Sequence, residues 1–186
     1  MKIVQIGTNV ANDDLTKMIG TTQPEILVLV EPLVVHNEKI LDCYGWVKNM
    51  HLENVAISIG NENTISFYYH PKDGPLFEVA STNIYHLIKH GYKSEEIVKI
   101  EVNCVDVNDL LKKHCLTSID ILFIDAEGID DLIIKRIDFK QFDIKKIFFE
   151  NLHITQADIF LFLQEKGYKI TPKCLTNGWM TLAEKI

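Results

Sequence analysis

The sequence predicts an α/β fold, a mostly parallel sheet with helices on both faces, and three observations carry that expectation. KIVQI (2–6), ILVLV (26–30), the run Ile119, Ile121, Leu122, Phe123 and Ile124, and KIFF (146–149) are short and almost unbroken in apolar character. Runs of that length are too short for helices and suit strands buried on both faces. Between them, apolar residues recur at helical spacing, so strand and helix alternate. The runs also end in glycine or acid: Gly7, Glu31, Asp125 with Glu127 and Gly128, and Glu150. Ligands of open α/β sheets bind at the carboxyl ends of strands, so Gly7, Glu31 and Asp125 mark a site.

Taken in order, strand 2–6 ends in Gly7, and Leu15, Met18 and Ile19 form a helix stopped by Gly20. This is a strand, glycine turn and helix, the opening unit of a nucleotide-binding fold. Strand 26–30 ends in Glu31-Pro32. Val34, Val35, Ile40 and Leu41 give a helix ending near Cys43–Gly45. His36 and His51 read as surface or helix-end residues. Val55–Ile59 is expected as the third strand, paired with Thr64–Tyr69 as a hairpin added to the sheet edge. Ser81–Asn83 caps a short helix with Tyr85, Leu87 and Ile88. Ile97–Val102 alternates as a strand and leads to a helix with Val107, Leu110 and Leu111.

The strand of the apolar run Ile119–Ile124 follows, then a helix with Leu132, Ile133 and Ile134. Strand 146–149 ends in Glu150-Asn151, and Thr155 is expected to cap a helix with Ile159, Phe160, Phe162 and Leu163. Tyr168–Thr171 and Trp179–Ala183 close the chain as two strands joined around Asn177-Gly178, a hairpin turn signal. With no repeat, linker or low-complexity segment, residues 1–186 are expected to form a single domain.

Composition narrows the function. A hydrophobic content of 47% with 24% charged residues is that of a globular domain. The net charge of −7 argues against a nucleic-acid surface. Arg136 is the one arginine, so bidentate clamps on a polyanion are not suggested. No apolar run is long enough to span a bilayer, and Met1 leads straight into a strand, so neither a membrane anchor nor a secretory leader is expected. Cys43, Cys104, Cys115 and Cys174 are scattered without a CxxC pair. They read as reduced thiols of a cytoplasmic protein, and no metal is expected. The aromatic middle hairpin is a candidate interface for a homodimer.

The acids admit bland readings as well. Asp125 can simply cap the helix near Ile129, and Glu31 can be a solvated strand-end acid. Against that, Glu31 follows the Gly7 turn at a spacing that lets an acid accept hydrogen bonds from ribose hydroxyls.

The segments IGTN (6–9), VEP (30–32), VDVNDLL (105–111), IDILFIDAEG (119–128) and IFFE (147–150) resemble, in order and spacing, the FkbM-type methyltransferase family. The resemblance covers nearly the whole chain, and Asp125 to Gly128 within its strand is its most specific part. It implies a Rossmann-like class I methyltransferase fold with a seven-stranded, mostly parallel sheet and a C-terminal antiparallel β-hairpin. It also implies methyl transfer from S-adenosyl-L-methionine, most often to a hydroxyl of a small molecule or glycan. Gly7, Thr8 and Asn9 match the family's cofactor loop, Glu31 with Pro32 its ribose-binding segment, and Asp125 the acid beside the methionine moiety and the acceptor. Two departures stand out. The family commonly has a further glycine where this chain has Ala11, whose methyl narrows the space beside a cofactor. Members usually carry N-terminal cap helices before the first strand; this sequence begins at that strand, so no such cap is expected.

A methyltransferase must align donor and acceptor and exclude water, and a hydroxyl acceptor needs a base. Asp125, His153 and Glu127 are the candidates. Two other classes compete. One is a degenerate domain acting as a non-catalytic cofactor-binding or interaction module. The other is a nicotinamide-dependent dehydrogenase, which the missing G-x-G-x-x-G run and the terminal hairpin disfavour.

Overall fold

The computed structural model describes residues 1–11, 13–72, 79–152, 155–175 and 178–186. Seven strands make the main sheet: β1 (Lys2–Ile6), β2 (Ile26–Val30), β3 (Met50–Glu53), β7 (Ser118–Ile124), β8 (Asp143–Glu150), β9 (Tyr168–Thr171) and β10 (Met180–Lys185). Their order across the sheet is β3-β2-β1-β7-β8-β10-β9. Pairings from β3 to β8 are parallel, and β10 runs antiparallel to β8 and β9.

The helices cover both faces. In β1, Ile3 packs with α1 (Asp14–Ile19) and α2 (Asn37–Tyr44), through Leu15, Ile19, Ile40 and Tyr44. Its neighbour Val4 belongs to the opposite cluster, with Leu110 and Leu111 of α4 (Val107–Lys113), Ile133 and Ile134 of α5 (Asp130–Arg136), and Ile159 and Leu163 of α6 (Gln156–Glu165). Successive side chains of a strand point to opposite faces. Burial of both explains why the central strands are apolar without alternation. Among the described residues, no helix is long and apolar enough to cross a membrane.

The segment between β3 and α4 departs from expectation. The third strand of the sheet is Met50–Glu53, not Val55–Ile59. As an edge strand with the polar residues His51 and Glu53, it gives no continuous apolar signal. Ala56–Ser58 (β4) instead joins a separate three-stranded sheet, order β4-β6-β5. There Thr64–Tyr69 (β5) pairs antiparallel with Val98–Asp106 (β6), not with residues 55–59. The partner strand lies about thirty residues away, and local pattern carries no information on such pairing. The short helix α3 (Ile84–Lys89) follows β5, capped by Asn83, whose side chain accepts from Tyr85 N. Thr155 takes the N-cap position of α6 but makes no side-chain capping bond. Of the Asn177-Gly178 turn, Asn177 lies outside the described residues.

Arg136 ties the inserted sheet to the body. Its Nε pairs with Asp106, and its Nη2 donates to the carbonyl of Gly60 at 2.6 Å. Nη1 donates to the carbonyl of Ile59 at 3.2 Å. The lone arginine therefore has a structural task.

Candidate functional site

β1 and β7 are adjacent, and the chain leaves them toward opposite sides, β2 lying beyond β1 and β8 beyond β7. This is the switch point at which open α/β sheets form their ligand crevice. The crevice here has about 110 Å³ of water-accessible space. Gly7, Asn9, Glu31, Pro32, Asp125 and Glu127 all line it, together with Leu33, His36 and the inserted sheet's Ile57 and Phe67.

Gly7 adopts φ +79. A β-carbon there would overlap the carbonyl oxygen of Asp125 and stand 2.8 Å from its carbonyl carbon. Only glycine allows the first loop to pass so close to the end of β7. Gly7 N and Thr8 N both donate to the carbonyl of Val30, at 3.0 and 3.1 Å, tying the loop to β2. Thr8 is buried, its hydroxyl also aimed at that carbonyl, and it is not part of the crevice lining. The loop closes at Asp13, which caps α1 through Thr16 N and takes a hydrogen bond from the side chain of Gln5.

Ala11 lies within this loop at φ +59, fully buried. Its methyl packs with Leu15 and Ile19 of α1 and does not line the crevice. Its side chain thus belongs to the core cluster and not to the crevice wall, which bears against the expected narrowing beside a cofactor.

Glu31 is almost fully buried at the end of β2. One carboxylate oxygen accepts from Asn9 N and the other from Leu33 N, each at 2.8 Å. Burial pushes its pKa up to about 7, against the pull of these two N–H groups. Each oxygen retains a further lone pair for a ligand. Asn9 Oδ1 is buried without a hydrogen-bond partner in the same lining, so a donor is called for there.

Four carboxyl groups gather at the ends of β7 and β8. Asp125 and Glu127 line the crevice; Asp130 and Glu150 lie buried behind them. Asp130 accepts from Glu150 N at 3.2 Å and from Ala126 N at 3.4 Å, so it bridges the two strand ends. Burial and the charge of Glu127 raise its pKa to about 7, against the pull of those backbone donors. Burial, then the charges of Glu127 and Asp130, raise Glu150 to about 8. Burial first, then Asp130, Glu127, Glu150 and Asp13, hold Asp125 well above the usual carboxylate range. Glu127 sits at φ +50, its carboxylate 3.1 Å from His86 Nε2 and its carbonyl accepting from Ser81 Oγ at 3.3 Å. The inserted segment thus grips the site loop at Glu127.

The chain belongs to the FkbM methyltransferase family. The family's Methyltransferase FkbM domain matches residues 5–170. No curated protein matches the chain at the sequence level. Among solved structures, the FkbM domain is similar to precorrin-6y C5,15-methyltransferase from Geobacter metallireducens, with a TM-score of 0.51 and 13% identity over 99% of this chain and 78% of that one. It is also similar to SMU.1697c from Streptococcus mutans, solved in complex with SAH, with a TM-score of 0.50 and 11% identity over 100% of this chain and 89% of that one. At such identities the likeness is one of fold: the class I methyltransferase sheet with its C-terminal antiparallel hairpin.

Three features of the FkbM domain's crevice escape a sequence reading. His36 stands at a helix end, as one of its two readings had it, but is buried in the crevice wall and not on the surface. Its burial, with Lys39 nearby, lowers its pKa. Asp130 reads as an ordinary acid in a first helical turn, and no local signal marks it as wholly buried. His86 reads as rim packing. His153 lies outside the described residues. Among the described residues, no group of three or more His, Cys, Asp or Glu is placed to hold a metal ion.

Proposed function

We propose that the chain is an S-adenosyl-L-methionine-dependent methyltransferase acting on a hydroxyl oxygen of a small molecule or glycan. The observation that carries it is Glu31, buried at the end of β2 with both oxygens steered by backbone N–H groups and still able to accept. That suits a vicinal diol such as a ribose. Gly7 and Asn9 would hold the donor on one side, Pro32 and Leu33 beside its nucleoside, and Asp125 toward its amino-acid end.

When bound, the donor supplies an electrophilic methyl group on a sulfonium. The chain's own part is to orient and enclose. Leu33, Ile57 and Phe67 give the crevice apolar walls that exclude water. Asp125 and Glu127 line the crevice, where either would serve as the base for the acceptor's hydroxyl proton. Asp125, whose raised pKa makes it a stronger base than an ordinary carboxylate, suits that role. The alternative of a non-catalytic module drew on Ala11 and on the expected lack of N-terminal cap helices; the Ala11 methyl, buried with Leu15 and Ile19, speaks against the first of these.

A thermal-shift titration tests the reading. S-adenosylhomocysteine raises the melting temperature of the wild type, and Glu31→Ala abolishes the rise. No rise at millimolar ligand would refute the proposal.

A further inference from the structure

The carboxyl cluster exceeds what diol recognition needs. Asp130 is wholly buried, its two oxygens spent on the backbone of both strand ends. Glu150 is 7% exposed, and its Oε2 is buried without a hydrogen-bond partner. It faces Glu127 and Asp130, while Asp125 and Glu127 open onto the crevice. Buried carboxyl groups so arranged are stable only if they share protons or receive a cation.

We propose that Asp125, Asp130 and Glu150, with the carboxylate of Glu127 beside them, form a proton-exchanging trap that gives up protons to take a sulfonium cation and recovers them when the ligand is neutral. This rests on the donor assignment above and goes beyond it. The four groups act as one store of charge. The charged donor enters as protons leave, and its neutral thioether product is held less strongly. The product keeps the same ammonium and carboxylate, so the difference between the two ligands isolates the sulfonium.

The surroundings allow such exchange. Burial and mutual repulsion raise Asp125, Asp130 and Glu150 toward neutrality. Facing them are Asp13 from the loop before α1, which adds to the repulsion on Asp125, and His86 of α3, which meets Glu127. His90 lies against His86, ring centroids 4.5 Å apart. Glu31 stands across the crevice at the end of β2.

Isothermal titration calorimetry near neutral pH, in two buffers of different ionisation enthalpy, counts protons released on binding. S-adenosylmethionine is expected to release more protons than S-adenosylhomocysteine. Glu150→Gln should shrink that difference and weaken the methionine form relative to the homocysteine form by roughly five- to tenfold. Glu127→Gln, at a half-buried position, should act in the same direction and serves if the Glu150 variant fails to fold. Equal proton counts for the two ligands, or a difference untouched by either variant, would overturn the trap while leaving the donor assignment intact. Binding of neither ligand would overturn both.

Discussion

The α-carbon of Gly7 abuts the main-chain carbonyl of Asp125, so the first loop and the end of β7 meet backbone to backbone with no room for a side chain between them. That contact joins the two halves of the sheet where the crevice opens. Gly7→Ala should therefore cost stability twice, through overlap with the Asp125 carbonyl and through a left-handed φ. Together these come to about 2–4 kcal/mol, read as a lower midpoint in urea unfolding. A variant of wild-type stability would show that the loop can move aside.

Ala11 offers the contrasting case. Ala11→Gly relieves the left-handed backbone by ~1 kcal/mol but removes a buried methyl of ~0.8 kcal/mol and loosens the unfolded chain. The terms nearly cancel, so the melting temperature should barely move. Affinity for S-adenosylhomocysteine should also be unchanged, because the methyl faces α1. A clear gain in affinity would mean that it does crowd the ligand.

The four strands at the heart of the sheet were legible because burial on both faces leaves a run of apolar residues that no other element explains. Gly7, Glu31 and Asp125 were legible for a related reason: each interrupts or ends such a run at the ligand-binding edge. The rest was hidden for physical causes. Met50–Glu53 is an edge strand with polar residues, and β5 finds its partner beyond an intervening segment that carries α3. Asp130 and His36 look like surface residues in sequence because burial of a polar side chain depends on what folds over it. Here the inserted sheet covers part of the crevice, and the end of β8 covers Asp130.

The raised acids set a pH dependence. Glu31 and Asp130 stand at about 7 and Glu150 at about 8, against ordinary values of 4.5, 3.8 and 4.5. Between those values the folded chain binds more protons than the unfolded chain, so their contribution is full at low pH and lost as pH rises through 7 to 8. His36 and His114, both lowered from 6.5, oppose this at more acid pH. The Glu150 share is isolated by Glu150→Gln: its stability relative to wild type should rise with pH up to about 8. Parallel stability curves for the two proteins would contradict that.

Arg136 should resist conservative exchange. Lysine keeps the charge for Asp106 but cannot also reach the carbonyls of Ile59 and Gly60. Arg136→Lys should cost about 1–3 kcal/mol and increase hydrogen exchange in residues 56–62 and 98–106. Exchange unchanged in both segments would mean that the inserted sheet is held by other contacts.

The crevice between β1, β2 and β7 is proposed to hold the donor, with Glu31 on the ribose. A crystal structure with S-adenosylhomocysteine bound tests it most directly. Both ribose hydroxyls should lie on the Glu31 carboxylate, with the amino-acid end along Gly7 toward Asp125. Ligand density elsewhere, or a ribose turned away from Glu31, would contradict it.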